Sequence, residues 1–294
     1  MAQVIRAYGN PSRLEEYLPD PGEPVDRWFT ALNSGNARAI AATISDIVLT
    51  PPSVLIDPFC GAGSSCTAAR LLGVRFAGVE IDPVLACVSL AKCQCGPRHG
   101  ARLAERPRTD DEPQLRCLRL VRDLQGADGG GGLGEEEIVA DLTRAPAPVP
   151  GGTVVRGDST DPANWADMKL PATDAVMFTS PPFYSDWRGP DVPPHLRAGA
   201  SAVLPARRNV ADADAGAEPA RGYCDLVVGA LLAMESVAVH GTAIIEHEPG
   251  DSGGDRLAVL SERIRRETEA EVLEVLETGD FSGAGTLSLV VCRF

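Results

Sequence analysis

Lysine is nearly missing from this chain: two residues, Lys92 and Lys169, stand beside 25 arginines. With abundant Ala and Gly, that bias speaks of a GC-rich coding sequence more than of a function. Long apolar runs are missing too. No stretch approaches the roughly 20 apolar residues that cross a bilayer, so no membrane partner is expected. The opening segment MAQVIRAYGNPSRLEEY has no apolar core of the kind a secretory signal carries. Cysteine is sparse: eight in 294 residues is too few for a disulfide scaffold, and a reducing, cytoplasmic setting is expected. Positive charge is also short, with 27 Lys+Arg against 41 Asp+Glu and a net charge of −14. Phosphates must be met by local positive charge, so this balance disfavours nonspecific nucleic-acid binding. The 44% hydrophobic content excludes global disorder, and the length suits one large α/β domain or two small ones.

No internal repeat stands out. Residues 1–52 read as an N-terminal helical extension, with helix-like stretches near Pro24–Leu32 and Ala37–Val48. A main domain over 53–294 follows. Val54-Leu55-Ile56-Asp57 is a short apolar run that suits a buried parallel strand. A Gly-rich turn leads into a helix from Ser65 to Leu72, with Gly73 as its C-cap. Phe76–Ile81 reads as a second strand, and Asp82-Pro83 opens a helix as N-cap and first helical residue. That helix fades near Cys93. Residues 94–150, Arg-rich and then Gly- and Pro-rich, read as a partly flexible insertion with one helix near Gln114–Leu124. Within Arg98–Arg122, seven Arg outnumber four acids. Strands follow at Thr153–Asp158 and Asp174–Thr179, then a long loop over 184–222. A helix at Tyr223–His240, a strand at Gly241–Glu246, a helix at Asp255–Glu267 and two strands at Ala270–Leu276 and Thr286–Phe294 complete the order. Alternation of this kind predicts a mostly parallel, doubly wound sheet, and the last two strands are close enough for an antiparallel hairpin.

Two phrases carry chemistry. In Asp57-Pro58-Phe59-Cys60-Gly61-Ala62-Gly63-Ser64-Ser65 a strand ends in an acid, Gly-x-Gly turns the chain, and a helix opens. The glycines let backbone approach a ligand, and the helix start offers N–H groups. It is not a phosphate loop, because GxxxxGK[ST] is absent, and Cys66 replaces the third Gly of a dinucleotide fingerprint. Glu80, about 20 residues on at the next strand end, is placed to accept hydrogen bonds from ribose hydroxyls. The second phrase, Thr179-Ser180-Pro181-Pro182-Phe183-Tyr184, follows a strand directly. Its prolines remove N–H donors and leave carbonyls and the Ser180 hydroxyl as acceptors. An aromatic beside them can stack on a flat ring, so the phrase suits an exocyclic amino group. A Pro-Pro turn that merely closes a strand is the plainer alternative.

Taken together, DPFCGAGSS, GVEIDP, GDS and TSPPF resemble the AdoMet-dependent amino-methyltransferases that act on cytosine N4 or adenine N6 in DNA. The resemblance spans roughly residues 53–93 and 153–183. It implies a Rossmann-like, seven-stranded sheet whose last strand is antiparallel, and S-adenosyl-L-methionine (AdoMet) as cofactor. It implies that Asp57, Phe59, Gly61 and Gly63 line the methionine side, that Glu80 holds the ribose and that Asp158 meets the adenine amino group. Cys60, Ser64, Ser65, Ile81 and Ser159 complete the implied cofactor set, although Cys60 also reads as a filler of a small space. Ser180, Pro181, Pro182 and Phe183 become the target-amine site, where Phe183 stands in place of the more usual Tyr. A Pro-Cys dipeptide, expected for carbon-5 methylation, is absent.

Tyr184, Trp187 and Arg188 are candidates for the substrate wall, as is His247 at a strand end. No C-terminal recognition domain is expected, which leaves 94–150 and 184–222 to recognise a substrate. The leading expectation is methylation of a base amine in DNA. A small-molecule or peptide substrate is the alternative, and a cofactor-binding subunit that needs a partner is a third. Cys87, Cys93, Cys95 and His99 read as structural, since CxC is not the usual metal spacing, and Trp28 and Phe29 as packing residues.

Overall fold

The computed structural model describes residues 22–29, 36–48, 50–105, 107–108, 111–127, 132–149, 151–181, 192–206, 222–247, 256–280 and 286–294. The first α-helix among the described residues is α1 (Ala37–Ile47), capped by the Asn36 side chain, which accepts from the N–H groups of Arg38 and Ala39. Next come β1 (Val54–Asp57), α2 (Ser64–Leu72), β2 (Arg75–Glu80) and α3 (Pro83–Gln94). Three helices, α4 (Pro97–Ala101), α5 (Pro113–Ala127) and α6 (Glu135–Arg144), precede β3 (Thr153–Arg156), α7 (Ala163–Ala166) and β4 (Ala175–Thr179). Then follow α8 (Pro194–Val203), α9 (Tyr223–Ser236), β5 (Gly241–His247), α10 (Arg256–Glu267), β6 (Glu271–Asp280) and β7 (Thr286–Arg293).

The seven strands form one sheet in the order β3-β2-β1-β4-β5-β7-β6. β1 to β5 run parallel, and β7 lies antiparallel between β5 and β6. This is the Rossmann-like, doubly wound sheet with one reversed strand that the resemblance implies. Strand side chains alternate between the two faces. Leu55, Phe76, Val176 and Phe178 pack on one side with α1, α2 and α3, while Val54, Ile56, Val79 and Met177 pack on the other with α9 and α10. All four residues of β1 are buried, which explains its unbroken apolar run. Among the described residues no helix is long and apolar enough to cross a membrane.

Two sequence expectations are corrected here. The insertion holds three helices, not one, and Leu103, Cys117, Leu118, Val121, Ile138 and Leu142 are buried in the same core as Leu55 and Phe76. They cover the outer side of α3, so that every residue from Pro83 to Cys93 is buried. The 184–222 stretch is not all loop either, because α8 lies within it and buries Leu196 and Ala200 against that core.

The chain before β1 is fastened to the insertion as well as to the sheet. A short 3-10 turn, Asp26–Trp28, buries Trp28 completely, and the indole donates to Asp141 Oδ2 at 3.0 Å. Arg27 clasps both oxygens of Asp141 at 2.9 Å. The fully buried Lys92 donates to the Asp26 carbonyl at 2.8 Å and lies 3.6 Å from the Asp26 carboxylate. Burial pulls the Lys92 ammonium below its usual range, opposed by the Asp26 charge. Buried charges of this kind persist only when paired.

Candidate functional site

The site forms at the carboxyl ends of the parallel strands, where open α/β sheets bind ligands. Asp57 ends β1 and is nearly inaccessible. Its Oδ1 accepts the Phe59 N–H at 3.0 Å and the Thr179 hydroxyl at 2.9 Å, and its Oδ2 accepts the Ser65 hydroxyl at 2.5 Å. One carboxylate thus joins the strand, the Gly loop, the first turn of α2 and the end of β4. Burial pushes its pKa up to about 6, against the pull of those three hydrogen bonds.

The loop itself needs its glycines. Gly61 and Gly63 have φ of +48° and +87°, in the left-handed region. A Cβ on Gly63 would lie 2.9 Å from Ser89 Oγ and 3.0 Å from Ser89 Cα. That close approach exists because the Ser89 hydroxyl, on α3, donates to the Gly61 carbonyl at 2.6 Å. Gly63 supplies no side-chain cap to α2. Beside that uncapped start, the Ser64 hydroxyl oxygen is buried and has no hydrogen-bond partner. Cys60 is buried under the loop. Burial and the Glu80 and Asp57 charges push its thiol well above the usual range, so it packs as a neutral group.

Glu80 ends β2. Its Oε2 accepts the Gly61 N–H and its Oε1 the Asp82 N–H, each at 2.8 Å. Burial pushes its pKa up to about 7. The two N–H donors pull it down, while the Asp82 and Asp57 charges push it up. Ile81, next along, is 39% exposed, an apolar side chain open beside buried acids. From β3, the Gly157 N–H donates to the Glu80 carbonyl at 3.0 Å, which brings Asp158 next to this corner. Asp158 Oδ1 accepts both the N–H and the hydroxyl of Thr160, at 2.9 and 2.8 Å. Ser159 is buried, and its carbonyl accepts the Trp165 indole N–H at 2.8 Å.

Ser180, half-buried, and Pro181, buried, continue β4 into the same edge. The register pairs Thr179 with Ile245, and His247 lies two residues further along β5 at the same strand-end edge. The His247 ring is buried and lies 5.2 Å from that of Tyr223. Pro182, Phe183, Tyr184, Trp187 and Arg188 lie outside the described residues. The site therefore brings together Asp57, Phe59, Cys60, Gly61, Gly63, Ser64, Ser65, Glu80, Ile81, Asp158, Ser159, Ser180, Pro181 and His247 from the sequence candidates.

Thr179, Ser89 and Asp82 were not among those candidates as ligand-site residues. Thr179 had a signal, since it is the last strand residue before Ser180-Pro181; Ser89 had none, being one polar residue in an apolar helix. Among the described residues no group of three or more His, Cys, Asp or Glu could hold a metal ion. Cys87, Cys93 and Cys95 are buried, and His99 Nδ1 accepts the Gly96 N–H at 3.2 Å within its own turn.

No protein-family model matches this chain, and no curated protein matches it. Solved structures do. A putative RNA methyltransferase from Pyrococcus horikoshii is 12% identical, with 100% of this chain and 98% of that chain covered and a TM-score of 0.40. The magnesium protoporphyrin IX methyltransferase of Synechocystis PCC 6803, solved with bound SAM, is 10% identical over 87% of this chain and 77% of that chain, at a TM-score of 0.38. The human methyltransferase 10 domain containing protein is 12% identical over 87% and 80%, at 0.42. At such identities and scores, function has to be argued from this chain's own residues.

Proposed function

We propose that this chain is an AdoMet-dependent N-methyltransferase whose acceptor is an exocyclic base amine, with DNA as the leading substrate class. The observation that carries the reading is the corner formed by Glu80, the Gly61–Gly63 loop and the orphaned Ser64 hydroxyl. The donor set suits AdoMet. Glu80 offers carboxylate lone pairs to ribose hydroxyls, and Ile81 an apolar surface to a flat ring. The uncapped start of α2 and the unpartnered Ser64 hydroxyl suit a carboxylate, while the Asp57 and Glu80 charges suit a cation. When bound, AdoMet supplies an activated methyl group for in-line transfer. The protein's share is positioning. The Ser180 hydroxyl and Pro181 carbonyl would accept the amine N–H groups, drawing the nitrogen lone pair out of conjugation.

A second reading, a small-molecule or peptide amine, draws on the insertion. Its arginines are largely spent on neighbouring acids: Arg102 on Asp111 at 2.8 Å and Glu112 at 3.3 Å, Arg119 on Asp111, Arg98 on Glu112 at 3.6 Å and Arg122 on Glu135 at 3.4 Å. Guanidinium groups paired in this way leave little charge for phosphates.

The test is transfer of labelled methyl from AdoMet, at low salt, to duplex DNA, single-stranded DNA and RNA, beside Ser180→Ala. Label in DNA that is lost in the variant supports the first reading, and nucleoside analysis then names the atom. Cofactor binding without label in any nucleic acid overturns it in favour of the second.

A further inference from the structure

α8 leaves the substrate-side stretch and reaches back to the cofactor corner. Its Arg197 donates to Asp82 Oδ2 at 2.7 Å, with the two side chains 22% and 5% exposed. The other Asp82 oxygen, Oδ1, accepts the N–H groups of Val84 and Leu85 and so caps α3. The Asp82 N–H donates to Glu80 Oε1, and Glu80 Oε2 accepts the Gly61 N–H. An unbroken chain of hydrogen bonds thus runs from α8 through Asp82 and Glu80 to the Gly loop.

We propose that Arg197 is a positioning residue for the cofactor: by pairing with Asp82 it holds α8 at the Glu80 end of β2 and keeps the Glu80 carboxylate available to ribose hydroxyls. The inference rests on the AdoMet reading above. Its physical basis is charge. Asp82 and Asp57 both face Glu80, and Cys60 lies beside it as a neutral thiol. On the β3 side the strand partner of Glu80 is Arg156, whose Nε donates to the Ile81 carbonyl at 3.4 Å. Arg197 is the cation placed directly on Asp82. Without it, a second uncompensated carboxylate sits one hydrogen bond from Glu80, and like charges raise each other's pKa. A Glu80 that gains a proton at neutral pH loses acceptor capacity.

The experiment is calorimetric titration of the whole chain with AdoMet from pH 6 to 9, for wild type, Arg197→Gln, Arg197→Lys, Asp82→Asn and the Arg197→Gln/Asp82→Asn pair. Asn keeps the cap on α3 and removes the charge. Binding by wild type is expected to weaken as pH falls through about 7. In Arg197→Gln that midpoint is expected to rise by about one unit, which is roughly a fivefold affinity loss at pH 7 and convergence with wild type at pH 9. Lys restores the wild-type midpoint. In the Asp82→Asn background the Gln substitution no longer moves it, the coupling a double-mutant cycle reads. Unchanged affinity in Arg197→Gln, or an equal loss at every pH in both the Gln and Lys variants, would overturn the proposal and leave α8 as packing alone. A wild type that binds no AdoMet would instead remove the cofactor reading on which the proposal stands.

Discussion

Thr179 and Asp57 are 122 residues apart in sequence and share a hydrogen bond of 2.9 Å. Through that bond the strand that leads into Ser180-Pro181 is locked to the strand that leads into the Gly loop. Thr179→Val keeps the shape and removes the donor, leaving a buried carboxylate short of one partner. It is expected to cost about 1–3 kcal/mol in denaturant unfolding and to push the Asp57 pKa above its present value of about 6. Thr179→Ser keeps the hydroxyl and should fall close to wild type.

Asp57→Asn separates stability from binding. An amide at this position can keep Oδ1 for Phe59 and Thr179 and donate from nitrogen to the Ser65 hydroxyl, which accepts as readily as it donates. The variant keeps a contact to each of Phe59, Thr179 and Ser65 and sheds a charge that burial disfavours. Its melting temperature at pH 8 is expected to rise by several degrees, while AdoMet affinity falls at least tenfold. A melting temperature below wild type at pH 8 would contradict this account of the carboxylate.

The same two carboxylates set a pH dependence. Folding raises Asp57 to about 6 and Glu80 to about 7, above the usual carboxylate range. The folded chain therefore binds more protons than the unfolded chain between about pH 4 and 7, and stability falls as pH rises through that window. Each group destabilises the fold by up to about 3 kcal/mol, a penalty absent below the window and fully present above it. Urea unfolding of the ligand-free protein should show higher stability near pH 5 than near pH 8. Asp57→Asn should flatten about half of that slope.

Gly63→Ala tests the close approach of the Gly loop to α3. The added carbon meets Ser89 at 2.9–3.0 Å in a backbone with φ of +87°. Strain and overlap together are expected to cost about 2–4 kcal/mol and to remove AdoMet binding. Gly73→Ala is the control for φ alone, since nothing lies within 4 Å of a carbon added there at φ +68°. It should lose about 1 kcal/mol and keep the cofactor.

Asp141→Ala strips the acceptor from both Arg27 and Trp28. Leaving a cation and an indole N–H without their buried partner is expected to cost about 3–5 kcal/mol. Limited proteolysis should then release the segment before α1 first.

The strands and the Gly loop were legible because their signals are local. An apolar run buried on both faces, an acid at its end and glycines with positive φ each leave a mark within a few residues. Only one of the insertion's three helices was legible, because Gly, Pro and Arg crowd its sequence. Its order comes from Cys117, Leu118, Val121, Ile138 and Leu142 meeting α3, which no local pattern reports. α6 did leave a clue, three glutamates in its first turn, where negative charge favours a helix. α8, PHLRAGASAV, has no polar side-chain cap and opens on the second of two prolines, Pro193 and Pro194, so packing of Leu196 and Ala200 decides it. The candidate acids were readable one by one. Their mutual hydrogen bonds, and the reach of Arg197 to Asp82, depend on strand order and could not be read from spacing.

The clasp of Arg27 and Trp28 on Asp141 also bears on how the chain is made. Its halves are separated by 114 and 113 residues, so both emerge during synthesis long before their acceptor does. At translation rates of about 5–20 residues per second the wait is on the order of ten seconds. During it β1, β2 and α3 emerge one after another, while the Trp28 indole still lacks its Asp141 acceptor. The strap closes only after α6 arrives, so the first-made part of the described chain is among the later parts to settle. Trp28 fluorescence on nascent chains of increasing length would record that moment.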